Sequence, residues 1–246
     1  MSTSPFMYRI TALLLIVESV LLFIPIIVLG QAIDWPASLS QPASTVLPLL
    51  VEQSQPVFIG YFTYLIYSVL FYPISLLTIQ VFKSKSNNNP YLNLAVGFGI
   101  ASMICRTLGI IRWLAPMPLM AKIYVQPSTS ETTRTAIDVV YQALNQYGGS
   151  IGEVLGVSLF TTLWLIIVSL TILKTRILPR WLGMFGFISS MLLTTQLVEL
   201  FGIDTGSFIA VSVSVFQLWL LAMGIACLIH SFKFKNYRRK IDICAN

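Results

Sequence analysis

Six apolar runs, each about as long as a bilayer is thick, constrain this chain more than any other feature. They cover residues 8–29, 57–81, 92–114, 151–173, 181–203 and 207–229. A helix crosses the hydrocarbon core with about 20 mostly apolar residues. Apolar residues make up 56% of the chain and charged residues 10%, against roughly 45–50% and about 25% in a soluble domain. That excess cannot all face water. The connections between the runs are too short and too poor in apolar residues for a second core. The expected architecture is therefore all-α: a polytopic transmembrane helix bundle of about six spans over residues 1–232, followed by a basic tail at 233–246.

The net charge of +6 follows the membrane rather than a nucleic-acid surface. Arg9 precedes the first run, Lys83 and Lys85 follow the second, and Lys174, Arg176 and Arg180 separate the fourth from the fifth. Lys233, Lys235, Arg238, Arg239 and Lys240 follow the sixth, so eleven of the fifteen Lys and Arg fall on one side. The opposite side carries Lys122 and Arg134 against Asp34, Glu52, Glu131, Asp138 and Asp204. The positive-inside rule then predicts both termini of an integral membrane protein in the cytoplasm. No nucleic-acid partner is expected.

The first run resembles a signal peptide in its Gly30-Gln31-Ala32 end, but it is too long for an h-region and carries Glu18 and Pro25, so it is expected to stay as a span. Pro25 and Pro73 are expected to kink the first two spans. A short helix is predicted over 45–53, leading into the second. Between the third and fourth runs, Ser128 and Glu131 read as a capping box. Behind them Ile137, Val140, Tyr141, Leu144 and Tyr147 recur at helical spacing, which predicts an amphipathic helix over about 130–148, with Gly148-Gly149 as a bend. No internal repeat is visible, which argues against an inverted-repeat transporter.

Five ionisable residues interrupt the apolar runs: Glu18, Arg106, Arg112, Glu153 and Glu199. A charge at the centre of a spanning helix costs roughly 2.5–3.5 kcal/mol on insertion scales. At about 1.5 Å per residue, Arg106 stands about 20 Å along its span. By the same measure Arg112, Glu153 and Glu199 lie close to the outer ends of theirs, and Glu18 lies deepest. At about 100° per residue Arg106 shares a face with Trp113, Gln196 shares one with Glu199, and Arg112 is turned about 120° from Arg106. Arg106 is accordingly the expected inward arginine, paired with Glu153 or Glu199. A buried ion pair that fixes helix register is the plain reading; a small-molecule or ion site is the sharper one.

Catalytic residues are not evident. His230 is the single histidine, which excludes a bis-histidine haem within one chain and leaves a zinc ion almost without ligands. G-x-S-x-G, P-loop and H-E-x-x-H patterns are missing from the sequence. No metal site is expected, and the residues specify no cofactor. Gly152 and Gly156 form a G-x-x-x-G pair, chiefly a packing device in membranes. The tail residues Lys233, Lys235, Arg238, Arg239 and Lys240, interleaved with aromatics, are expected to hold anionic lipid at the cytoplasmic face, each worth about 1 kcal/mol.

The run from Arg106 to Trp113 (R-T-L-G-I-I-R-W), Gly152-Glu153 with Gly156 and Trp164, and Leu178-Pro179-Arg180-Trp181-Leu182-Gly183 resemble a bacterial membrane family, domain of unknown function four-three-eight-six. The resemblance covers most of the chain. It implies a bundle of six or seven helices, carries no established activity, and implies that Arg106, Arg112 and Glu153 belong together. The leading expectation is a non-enzymatic multi-pass protein of the bacterial inner, or another energy-transducing, membrane, acting as accessory subunit, sensor or regulator of a membrane complex, with membrane lipids and a protein of that complex as candidate partners. The alternative is a transporter or a small-molecule or lipid-binding protein that uses the Arg/Glu cluster. An intramembrane enzyme acting on lipid comes third.

Overall fold

A computed structural model describes residues 5–83, 90–203, 205 and 208–244, without the side chains of 234–244. Its ten α-helices among these residues are α1 (Pro5–Leu21), α2 (Phe23–Ile33), α3 (Ala43–Glu52), α4 (Ser54–Lys83), α5 (Pro90–Leu114), α6 (Pro116–Tyr124), α7 (Glu131–Gly149), α8 (Thr161–Thr175), α9 (Arg180–Thr194) and α10 (Phe208–Cys244). A π-helix at Ser150–Phe160 joins α7 to α8, and 3₁₀ turns occupy Ala37–Ser40 and Thr195–Phe201. No strand occurs among the described residues.

Six stretches of the described residues are long and apolar enough to cross a membrane: Pro5–Ile33, Ser54–Lys83, Pro90–Tyr124, Glu131–Thr175, Arg180–Phe201 and Phe208–Lys233. They overlap the six apolar runs in order, and the protein is an integral membrane protein. Where the helices break, the cause is local. Pro25 has no N–H to give the Leu21 carbonyl, and α1 passes into α2 at Leu22, which keeps helical φ −64° and ψ −25°. Pro116 opens α6 at its first turn, after Ala115 leaves helical geometry at φ −122° and ψ −77°. Pro73 lies inside α4, which continues through it to Lys83. The short helix expected over 45–53 is α3.

Two expectations about the segment after α6 need correcting. The N-cap of α7 is Ser130 rather than Ser128: its Oγ accepts from the Thr133 N–H at 3.2 Å. Ser128 is excluded because the chain is still turning there, with Thr129 N donating to the Gln126 carbonyl at 3.1 Å and Thr129 Oγ1 to the Ile123 carbonyl at 2.6 Å. Gly148-Gly149 is not a bend, since helical structure runs on from α7 through the π-helix into α8. These glycines serve close packing instead.

The chain divides into two compact units, Met1–Val20 with Leu70–Met103 and Val157–Asn246, and Leu21–Val69 with Ile104–Gly156. The core of the first is aromatic at its centre. Trp164 meets Trp219 edge to face at 5.8 Å, Phe71 stands against Trp164 at 5.2 Å, and Phe216 stacks on Trp219 at 6.3 Å. Polar links cross this core. Ser158 Oγ donates to Gln196 Oε1 at 2.6 Å, Gln196 Nε2 donates to Ser212 Oγ at 2.6 Å, and Ser102 bonds Thr161 at 3.0 Å. In hydrocarbon such side chains have no water to turn to, so pairing them joins neighbouring helices.

In the second unit α3 packs on α6 and α7, and α6 on α7, around Val46, Leu47, Leu50, Met117, Met120, Ile137 and Tyr141. Asn145 Nδ2 donates to the Leu39 carbonyl at 2.6 Å and Arg134 Nε to the Tyr124 carbonyl at 3.3 Å. These bonds tie the α7 helix to the 3₁₀ turn before α3 and to the end of α6.

Candidate functional site

The second unit holds a seam at which backbones come unusually close. A Cβ added to Gly109 of α5 would stand 2.7 Å from Gly152 Cα, and one added to Gly152 would stand 3.0 Å from Gly109 Cα. On the same line, a Cβ at Gly156 would meet Arg106 N at 2.9 Å, and one at Gly148 would meet Arg112 Cδ at 2.6 Å. Any side chain there would separate the helices, which is why glycine recurs every four residues on one side of the seam. Gly109 lies three residues after Arg106 and three before Arg112, so at about 100° per residue the two arginines flank it at about 60° on either side.

Both arginines are consequently buried, Arg106 at 2% exposure and Arg112 at 6%. Arg112, which the 120° offset from Arg106 put off the inward face, is buried along with it. Taking the Arg106–Trp113 direction as the centre of the buried face left Arg112 outside it. The true centre is Gly109, and a buried stripe is wide enough to hold both. Arg112 pairs with Glu153, its Nη2 standing 3.9 Å from Glu153 Oε1. Arg112 Nη1 donates to the Gly109 carbonyl at 3.1 Å, while its Nε has no hydrogen-bond partner among the described residues. The Arg106 guanidinium stands over the Tyr67 ring at 5.6 Å, within cation–π range.

Aromatic rings enclose the pair. Tyr61 stacks on Trp113 with centroids 5.1 Å apart and planes 1° from parallel, and Arg112 Cζ stands 5.5 Å from the Trp113 ring. Glu153, Tyr61, Tyr64 and Tyr141 are the charged and phenolic neighbours of Arg112. Tyr61 is fully buried, and its hydroxyl has no hydrogen-bond partner among the described residues. The tyrosines escaped the sequence reading. The available signal was Tyr61, Tyr64 and Tyr67 at three-residue spacing inside an apolar run, where tyrosine is normally confined to the membrane interfaces.

Glu18 and Glu199 belong to the first unit. Glu18 is fully buried in α1. Glu199, in the 3₁₀ turn after α9, accepts a hydrogen bond from Thr205 Oγ1. Lys233 is exposed on α10, and this helix continues through the backbone of Lys235, Arg238, Arg239 and Lys240, whose side chains lie outside the described residues. Among the described residues no group of three or more His, Cys, Asp or Glu side chains is placed to hold a metal ion.

The family model described as "Domain of unknown function (DUF4386)" matches residues 10–226. The chain belongs to that family. The match reaches all six spans, stopping short only at the start of the first and the end of the sixth, and contains the whole Arg112–Glu153 seam, so the seam is part of the DUF4386 domain itself. No curated protein and no solved structure matches the chain.

Proposed function

We propose that this DUF4386 protein is a non-enzymatic binding or sensing subunit of a bacterial inner-membrane complex, with both termini cytoplasmic and the Arg112–Glu153 centre as its recognition site. The observation that carries this reading is the form of the ion pair. Charged hydrogen bonds in a closed pair measure about 2.7–2.9 Å, whereas these groups stand 3.9 Å apart, and Arg112 keeps an unused buried donor at Nε. Breaking a buried pair is costly, but an apolar replacement of the whole pair is often as stable as the pair itself. Packing alone therefore gives little reason to keep charges here, and a ligand that takes up the Arg112 Nε donor gives a direct one. The charge asymmetry of the loops supports the orientation. The basic run Lys233, Lys235, Arg238, Arg239 and Lys240, directly after the last span, supports contact with anionic lipid.

The test is native mass spectrometry of the intact protein extracted in native-lipid discs. The expected result is a defined bound molecule that disappears in Arg112→Ala while folded yield is kept; a second polypeptide in the same particle would identify the complex. Loss of folded yield in Arg112→Ala, restored in Arg112→Ala/Glu153→Ala, would instead mark a pair that only holds the helices in register.

A further inference from the structure

Two stripes run side by side along α7. Ile137, Tyr141 and Leu144 pack into the core of the second unit. Thr133, Ala136, Val140, Ala143 and Tyr147 are all exposed, and their spacing of three, four, three and four residues is the heptad spacing of paired helices. At about 100° per residue this second stripe fills about 80° of arc. It is apolar enough to want cover: Val140 is 47% and Tyr147 68% exposed, and Val139 beside them 64%. The three charged residues of α7, Glu131, Arg134 and Asp138, stand about 140° or more from its centre.

The bilayer is a poor occupant for this face. The π-helix of 11 residues and α8 of 15 together rise about 35 Å or more, enough to cross a hydrocarbon core of about 30 Å. α7 continues beyond them. Helices that lie on a bilayer set Trp, Phe or Leu on the apolar face and Lys or Arg on the polar one. The stripe carries Ala, Thr and Val with Tyr147 as its single large residue, and the one basic residue of α7, Arg134, is turned away and donates to the Tyr124 carbonyl at 3.3 Å. These residues suit another helix.

The absence of charge selects which helix. Copies of one chain share an orientation in the membrane, so a twofold axis along the membrane normal runs their α7 helices parallel and sets each residue against its own counterpart. A charged residue on such a face would repel itself, and this face has none. The exposed flanking positions Val139 and Gln146 are uncharged too, so nothing there selects a partner of opposite charge.

We propose that the Thr133–Tyr147 stripe of α7 pairs with the same stripe of a second copy, making the protein a parallel homodimer joined outside the hydrocarbon core. Ala136 and Ala143 let the backbones approach, and Val140 and Tyr147 fill the space between them. Gly148, which approaches Arg112, points about 100° away from the stripe, so the pairing does not call on the Arg112–Glu153 centre.

The test combines native mass spectrometry of the full-length protein in native-lipid discs with cysteine cross-linking in cell membranes. The expected mass is that of two chains. Ala143→Glu is expected to raise the dissociation constant of the dimer about tenfold or more, while Gln142→Glu, on the same helix and off the stripe, leaves it unchanged. Tyr147→Ala only shortens an exposed side chain; it is expected to weaken the dimer about threefold or more, and it carries the test where Ala143→Glu lowers the folded yield. With Cys105, Cys227 and Cys244 replaced by Ala, Val140→Cys and Ala143→Cys are expected to form disulfide-linked dimers about fivefold faster or more than Gln142→Cys. A monomeric wild type overturns the proposal, as does a dimer that both stripe variants leave intact. So does a cross-link from Ala143→Cys to a different polypeptide, which would assign the face to another subunit. Stripe cysteines that neither cross-link nor react with an impermeant thiol reagent would place the face in lipid and overturn it as well.

Discussion

At the residue scale, the second unit depends on what surrounds Arg112. Lysine at this position keeps the charge but lacks the planar fork that reaches the Gly109 carbonyl. Arg112→Lys is therefore expected to purify in normal yield and to hold the native ligand about tenfold or more weakly, since one charged hydrogen bond is worth about 1.5–3 kcal/mol. Mass-spectrometric occupancy against added lipid measures it, and unchanged occupancy would show that charge alone suffices. Gln196 is the corresponding residue of the first unit, bridging Ser158 and Ser212 at 2.6 Å on each side. Hydrogen bonds between membrane helices average about 0.6 kcal/mol and reach about 1.7, so Gln196→Leu is expected to destabilise the protein by about 1–2 kcal/mol. Thermal unfolding in detergent would register this as a lowered midpoint, without loss of ligand at Arg112.

At the element scale, α5 and the π-helix approach closely at Gly109 and Gly152, and two glycine substitutions separate packing from intrinsic helix propensity. Gly109→Ala would place a methyl 2.7 Å from Gly152 Cα, and overpacking of this kind costs about 1–3 kcal/mol. Gly97, on the same helix, has nothing within 4 Å of an added Cβ, so Gly97→Ala is expected to be neutral or to stabilise by up to about 1 kcal/mol. Unfolding midpoints that move in opposite directions would check the pair. Ser130 caps α7 through the Thr133 N–H, and Ser130→Ala is expected to cost about 1 kcal/mol, appearing as faster amide exchange over the first turn of α7. The helices, the 45–53 segment and the proline at the start of α6 could be read from local signals. The π-helix could not. Its hydrogen bonds run from i to i+5, so a 3.6-residue phase does not hold over Ser150–Phe160.

At the scale of the whole molecule, the six spans and the distribution of basic residues set the expected threading. With Cys105, Cys227 and Cys244 replaced by Ala, single cysteines at Lys122 and Glu131 are expected to react with an impermeant thiol reagent applied to intact cells. Those at Lys83 and Lys174 should react after lysis alone, and the reverse pattern would invert the topology. By itself the sequence determined the number and position of the spans, because an apolar run as long as the bilayer is thick has few places to go other than across it. It also marked the charged residues that a membrane makes costly, and its motifs carried the family resemblance. Tertiary structure decided which of these residues meet. That Arg112 faces Glu153, that Arg106 lies against Tyr67, and that Tyr61 stacks on Trp113 depend on partners 39 or more residues apart in sequence. Local periodicity gives the direction of each side chain around its own helix. The neighbour it meets is fixed by the close approach of Gly109 to Gly152, a contact between helices that no local pattern encodes.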